Sequence, residues 1–191
     1  VHVTIKVKDD VPRLRSGKRF RVIQRCIQRC HRQGFSVVEF SVQQNHIHLI
    51  CEVADEVSLA RGMQGLKTRL ARRLNGALGR KGTLFKERYH ARALATPREV
   101  RNALCYCLNN ARRHLWKAQQ RLAAPDWVDA YSTAPGFSGY RGRRGSRRAT
   151  QLDERPVVQS ARTWLLSTGW KRAGPLEVSA VPGRDVRTPP M

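Results

Sequence analysis

His46 and His48 flank a single isoleucine, and much later in the chain Tyr106 and Asn110 stand four residues apart. On an extended strand, side chains two apart leave the same face with Cα atoms about 6.7 Å apart, so two imidazoles at this spacing can reach one metal ion. On a helix, residues four apart are neighbours, which puts a phenol beside a carboxamide. The phenol is a nucleophile able to attack a phosphorus, and the amide oxygen completes an N,N,O donor set that suits Mg²⁺ or Mn²⁺ better than a closed structural zinc site. Only about one free phenol in a thousand is ionised at neutral pH, so a metal or nearby arginines must stabilise the phenolate. Taken singly, an H-x-H is more often a pair of half-exposed histidines, and a Tyr and Asn beside a core stripe are ordinary surface residues. The two pairs acquire meaning only if the fold joins them.

The elements that must do so are written in the periodicity. Val1 to Lys8 alternates apolar and polar residues, as a half-buried strand does. Ser16 to Gln33 sets Phe20, Ile23, Ile27 and Cys30 at helical spacing, with Gly34 as its stop. Phe35 to Val42 and Asn45 to Val53 are rich in β-branched and aromatic residues and meet across Gln43 and Gln44, which reads as a hairpin. In its second strand Ile47, Leu49, Cys51 and Val53 would face the helices, leaving the histidines on the open face. Val57 to Leu78 carries a leucine-rich helical stripe, with Arg61, Lys67, Arg69, Arg72 and Arg73 on its other faces.

Leu84 to Leu94 reads as a fourth strand. Thr96-Pro97-Arg98-Glu99 combines an N-cap, a first-turn proline and a capping-box glutamate. The helix it opens should reach about Gln119, with Val100, Ala103, Leu104, Cys107, Leu108, Ala111 and Leu115 as core and with Tyr106 and Asn110 about 60° off that stripe. The order β-α-β-β-α-β-α predicts an α+β, ferredoxin-like antiparallel sheet with helices on one face, over residues 1–120. Residues 121–191, with Pro125, Pro135, several glycines and the basic run Arg141 to Arg148, predict a loop-rich basic C-terminal extension with one short helix over Ser160 to Leu166.

The 191 residues hold 37 Lys and Arg against 14 Asp and Glu, a formal net charge of +23. Such a surface seeks a polyanion. Nucleic acid is favoured over a membrane, because the longest apolar runs, such as Ile47 to Cys51, fall far short of the roughly 18 residues that a span requires. With no signal-type apolar segment at the start, a cytoplasmic location is expected. Cys26, Cys30, Cys51, Cys105 and Cys107 are odd in number and form no C-x-x-C, so reduced, buried thiols are expected; a metal pair at Cys26 and Cys30 beside His31 is the weaker reading.

Three segments resemble the HUH single-tyrosine transposases, and especially the branch associated with repetitive extragenic palindromes (REP). They are Gln44-Asn45-His46-Ile47-His48-Leu49-Ile50, the strand Leu84 to Leu94, and Leu104-Cys105-Tyr106-Cys107-Leu108-Asn109-Asn110. The resemblance covers roughly residues 1–118, with Ala111 standing where many relatives have proline. It implies an HUH transposase or single-stranded DNA endonuclease in which Tyr106 forms a 5′-phosphotyrosine link, while His46, His48 and Asn110 hold the divalent metal, Mg²⁺ or Mn²⁺. The implied partner is single-stranded DNA flanked by a hairpin, bound by a monomer or homodimer.

Secondary contacts follow from charge. Arg88, Tyr89, His90 and Arg92 on the fourth strand are candidates to touch the DNA backbone or stack a base, Tyr89 being equally suited to sheet packing. Arg69, Arg72, Arg73, Lys81 and Lys86 are candidate phosphate contacts, and Arg143, Arg144, Arg147 and Arg148 would add nonspecific grip. His2, His31 and His114 read as structural or surface residues. Two other readings stay open: a noncatalytic RNA-recognition-like module on the same sandwich, and a hydrolase that uses water in place of Tyr106.

Overall fold

The structure is a computed structural model and describes residues 1–119, 122–146 and 151–183. The sheet contains β1 (His2–Lys6), β2 (Phe35–Val42), β3 (His46–Val53) and β4 (His90–Arg92), ordered β2-β3-β1-β4 and antiparallel throughout. The helices are α1 (Gly17–Gln28), α2 (Glu56–Leu78) and α3 (Pro97–Gln119). This is the α+β fold expected. The period-2 pattern of β1 sends Val3, Ile5 and Val7 to one side, where Ile47, Leu49 and Cys51 of β3 join them. Ile23, Cys26 and Ile27 of α1 and Leu59, Met63, Leu66, Leu70 and Leu74 of α2 complete that core.

The second face of the sheet is not left open. Val38 and Ile50 project from it into a separate core with Val100, Leu104, Cys107 and Leu108 of α3, so α1 and α2 cover one face and α3 the other. The reason is room. The face under α1 and α2 is filled, and the apolar stripe of α3 can be buried only on the histidine side. The expectation of helices on one face is corrected in this respect.

Local signals set most boundaries. Ser16 caps α1 by accepting from the Arg19 N–H at 3.4 Å, and Asp55 caps α2 by accepting from the Ser58 N–H at 2.6 Å. Gly79, left-handed at φ 62°, closes α2. The Thr96 hydroxyl accepts the Glu99 N–H at 3.2 Å while the Glu99 carboxylate accepts the Thr96 N–H at 3.1 Å, a reciprocal capping box. Two boundaries differ from expectation. Helix α1 stops at Gln28, because Cys30 N–H turns back to the Ile27 carbonyl; Gly34, at φ 76°, serves the turn before β2 instead. The fourth strand keeps only His90–Arg92: Phe85 bridges to Val7, but the polar stretch between has no buried face to hold it in register.

Beyond α3 come a 3₁₀ turn (Ala134–Gly136), β5 (Gln151–Leu152), β6 (Arg155–Pro156), α4 (Trp164–Ser167) and a second 3₁₀ turn (Gly169–Ala173). The extension is loop-rich and overlaps its expected short helix at α4. It nevertheless shares the core of α3 through Tyr140, Leu166, Trp170 and Leu176. Asp129 grips Arg15 through both carboxylate oxygens at 2.7 and 2.8 Å, tying the extension to the β1–α1 loop.

One close approach depends on a missing side chain. A Cβ on Gly62 of α2 would lie 2.3 Å from the ring of Phe35, which is 2% exposed and cannot swing away. Gly62→Ala should therefore lower stability by ~1–3 kcal/mol despite its better helix propensity, read as a lower urea midpoint with an unchanged slope.

Candidate active site

Strand β3 presents His46 and His48 on one face with ring centroids 4.7 Å apart. Helix α3, laid over that face, brings Asn110 Nδ2 to 2.7 Å from His48 Nε2 and the Tyr106 ring to 5.1 Å from the His48 ring. The four residues singled out from sequence thus meet. His48 and Asn110 are buried, at 3% and 1% exposure, whereas Tyr106 is half-buried and lines a cavity of about 710 Å³ with His2, Thr4, Lys6, His46 and His48.

Hydrogen bonds fix which nitrogens face that cavity's chemistry. His46 Nδ1 lies 2.9 Å from Asn45 Oδ1, an acceptor, so Nδ1 carries the proton and Nε2 keeps its lone pair. His48 Nε2 receives the Asn110 amide N–H, so it too is unprotonated. Its Nδ1–H then has Thr4 Oγ1 at 3.1 Å as acceptor, with His2 Nε2 3.3 Å away. Thr4 stands directly opposite His48 in the β1–β3 register, so strand pairing itself orients the imidazole.

Burial disfavours charge on these rings. It pushes His46 down to about 4, with His114 and Lys6 adding repulsion, and His48 down to about 2, helped by His46, His2 and His114. His2 falls to about 4 through burial, the N-terminal ammonium and Arg92. The histidine pair is consequently neutral at pH 7, the form that binds metal. Among the described residues no group of three or more His, Cys, Asp or Glu is arranged to hold a metal. The donors that fit an ion here are two imidazole Nε2 atoms and the Asn110 amide. That amide would turn over to offer Oδ1, leaving positions for water or phosphate oxygens.

Three neighbours adjoin these residues: His2 and His114, which the sequence reads as structural or surface residues, and Arg113, which it does not mark. The His2 ring lies 5.3 Å from that of His48, His114 lies 5.8 Å from His46, and the Arg113 guanidinium sits 5.7 Å from the Tyr106 ring centroid. The signals existed: His2, Thr4 and Lys6 are the polar phase of β1, and His114 follows Asn110 by one helical turn.

The candidate DNA contacts scatter. Arg92 reaches the cavity rim and pairs with Glu99 at 2.9 Å; His90 pairs with Glu87 at 3.5 Å. Lys86 pairs with Asp9 at 3.0 Å, Tyr89 packs on the α1/α2 core, and Lys81, Arg88 and Arg144 are exposed. Arg143 is half-buried, its Nε without a hydrogen-bond partner among the described residues. Arg69, Arg72 and Arg73 lie on α2, on the far side of the sheet. Arg147 and Arg148 fall outside the described residues. All five cysteines are free and buried, and His31 hydrogen-bonds the Val157 carbonyl at 2.9 Å.

The histidine pair on the four-stranded antiparallel sheet and the tyrosine-bearing helix laid over it hold two of the three segments that resemble the tyrosine transposases. The chain belongs to the IS200-like transposase family, which residues 1–107 match under the description "Transposase IS200 like". That match includes His46, His48 and Tyr106 and stops short of Asn110. A solved structure of similar fold is a REP-associated tyrosine transposase bound to a REP hairpin; it is 16% identical, with a TM-score of 0.51 over 69% of this chain and 74% of that one. No curated protein matches the chain. Among the described residues no helix is long and apolar enough to cross a membrane.

Two outcomes follow. Thr4→Val removes the acceptor that orients His48 while keeping a β-branched side chain, and should weaken Mn²⁺ binding by about tenfold or more in calorimetry of the metal-free protein, with Thr4→Ser restoring it. The second concerns acid. An unfolded chain protonates its histidines near pH 6.5, whereas folded His2, His46 and His48 resist until about pH 4 or below, so stability should fall as pH drops through that window. Glu39 opposes this: with Oε2 sealed and unpartnered among the described residues, its carboxyl is pushed up to about 8 and favours the fold as pH falls. Three imidazoles outnumber one carboxyl, and the urea midpoint should be lower at pH 4.5 than at pH 7; an unchanged midpoint would contradict the sign.

Proposed function

We propose that this protein cleaves and rejoins single-stranded DNA through Tyr106, beside a divalent metal, Mg²⁺ or Mn²⁺, held by His46, His48 and Asn110. The observation that carries the reading is the convergence of two imidazoles, each with its Nδ1–H engaged and its Nε2 lone pair free of a proton, with a carboxamide and a phenol on the overlying helix.

Tyr106 Oη attacks the phosphorus, a 5′-phosphotyrosine bond forms, and the bond to the 3′ oxygen breaks. The phenolic proton leaves to solvent or a nearby base, and the 3′ oxygen departs as a hydroxyl. In the reverse direction a 3′ hydroxyl attacks the phosphotyrosine, restoring a phosphodiester and releasing the phenol. Because the covalent link conserves the bond energy, no nucleotide cofactor is needed. A divalent ion at the three donors would polarise the scissile phosphate and draw off its charge. Arg113, beside the Tyr106 ring, adds positive potential where the phenolate develops. Lys6 and Arg92 on the cavity wall offer charge to the strand as it enters.

The occupant we infer is a single strand next to a hairpin. The chain's charge of +23 supports a nucleic-acid partner, and the REP hairpin in the structure of similar fold supports a folded segment beside the scissile strand. The RNA-recognition reading requires an open sheet face, and α3 lies over that face here.

Incubation with end-labelled single-stranded DNA and Mn²⁺ should yield an adduct that survives denaturation, and Tyr106→Phe should abolish it while leaving DNA affinity within about twofold. Cleavage that releases both ends free, with no adduct at any time, would instead identify a hydrolase using water.

A further inference from the structure

Strand β2 does not alternate cleanly. Val37 and Phe40 face the α1/α2 core, whereas Val38 joins the core under α3. The register against β3 shifts between Val37 and Glu39, a β-bulge, so that Glu39 stands opposite Ile50, whose side chain also lies on the α3 side. The extra residue turns a carboxyl toward an apolar face, as bulges do when they re-aim a side chain. β2 is an edge strand, and the extension ties to it on either side of the bulge. The Gln159 N–H donates to the Val37 carbonyl at 2.9 Å, and the Thr133 N–H to the Phe40 carbonyl at 3.0 Å. At the bulge lies a cavity of about 480 Å³, lined by Val38 and Glu39 together with α3 and the extension. That size suits a small organic molecule.

The walls are mostly apolar. Phe137 and Trp170 lie with ring centroids 5.8 Å apart and planes inclined by 33°, beside Leu104, Val158 and Leu166. Both rings press on Gly139, where a Cβ would come within 2.5 Å of Phe137 and 2.7 Å of Trp170, so the backbone fixes their positions. The charged groups among the described lining residues are Glu39 and Lys171, and they form no ion pair. Lys171 is exposed, with its ammonium 6.0 Å from the Trp170 ring centroid, and can turn to water. Glu39 has no such escape. Its Oε2 is sealed and without a hydrogen-bond partner among the described residues, and burial pushes the carboxyl up to about 8 against a smaller lowering by the Thr133 hydroxyl. A buried polar atom left unpaired in a folded protein calls for a partner. The last torsion of glutamate is broad and close to two-fold, so either oxygen can be turned to the cavity.

The lining narrows what that partner is. A single carboxylate among apolar side chains is a poor site for a metal ion, which needs several oxygen ligands. Two coplanar carboxylate oxygens match the two parallel N–H groups of an amidinium or guanidinium, and such a flat, weakly hydrated cation also gains from the faces of aromatic rings. We propose that the cavity over the β2 bulge is a binding site for a flat organic cation of the amidine or guanidine class, paired with Glu39 and packed against Phe137 and Trp170. The inference does not rest on the cleavage reading: no described residue lines both this cavity and the one holding Tyr106.

The test is calorimetry of the full chain freed of nucleic acid, without metal, near pH 8.5, where the Glu39 carboxyl is ionised. The probes are benzamidine, its neutral isostere benzamide, and benzoate. A net charge of +23 repels cations in general, so a preference for benzamidine reports a specific carboxyl. Benzamidine should bind one per chain and at least about tenfold more tightly than benzamide or benzoate, and Glu39→Gln should reduce it to the benzamide level. A second readout needs no variant: benzamidine should raise the urea midpoint of the unmodified protein, and benzamide at the same concentration should not. Equal affinity for benzamidine and benzamide, a preference for benzoate, an undiminished benzamidine affinity in folded Glu39→Gln, or no binding of any probe would each overturn the proposal. None of these outcomes bears on whether an adduct forms at Tyr106.

Discussion

The site depends on the antiparallel pairing of β1 with β3. Thr4 opposite His48 and Lys6 opposite His46 put polar side chains of β1 beside both imidazoles, while Ile5 opposite Ile47 anchors the same strands in the α1/α2 core. A slip of one residue would turn every side chain of the strand to the other face, exposing the isoleucines and burying the histidines among leucines. Register here is therefore enforced by hydrophobic burial, and imidazole orientation follows from register. The chemistry costs the fold little because the residues that aim the histidines occupy the polar phase of strands held by their apolar phase.

Helix α3 is constrained from both sides. Its inner surface meets Val38 and Ile50, and its outer surface is buried by the extension, so that Cys105, Asn109 and Arg112 are as inaccessible as the apolar stripe. Asn109 accepts the Tyr140 hydroxyl at 2.6 Å and donates to the carbonyls of Glu177, Val178 and Ala180. Arg112, 3% exposed, donates to the carbonyls of Ala123, Ala124, Pro125 and Trp127. Leaving such a buried polar group without its partner costs about 1–3 kcal/mol, more when it is charged. Clamped in this way, the helix has little freedom to roll, and the position of Tyr106 relative to the histidines is set by contacts made far outside the family-matched segment.

The parts legible in the sequence were those with local causes. Alternation in β1, the Asp55 and Thr96 caps and the His46–Ile47–His48 spacing each declare a strand, a helix start or a shared face within a few residues. The meeting of Tyr106 and Asn110 with the histidines was anticipated from resemblance and spacing together. What could not be read was which sheet face α3 would cover, because its apolar stripe fits either; the choice is made by α1 and α2 having filled the first. Asn109 and Arg112 carried no sign of burial, since their partners are carbonyls of later segments whose placement no periodicity announces. Thr4 gains its part only from the register that sets it opposite His48, whereas Asn45 adjoins His46 in the sequence and only its side-chain conformation, which no periodicity specifies, brings its amide oxygen to the ring.

The central claim is that His46 and His48 present two unprotonated Nε2 atoms to one ion beside Tyr106. Pulsed electron paramagnetic resonance of the protein with one equivalent of Mn²⁺ measures this directly, because nitrogen coupled to the metal appears in the spectrum. The account predicts couplings from two imidazole nitrogens, one lost in His46→Ala and the other in His48→Ala. A bound Mn²⁺ with no nitrogen coupling, held by oxygen alone, would contradict it.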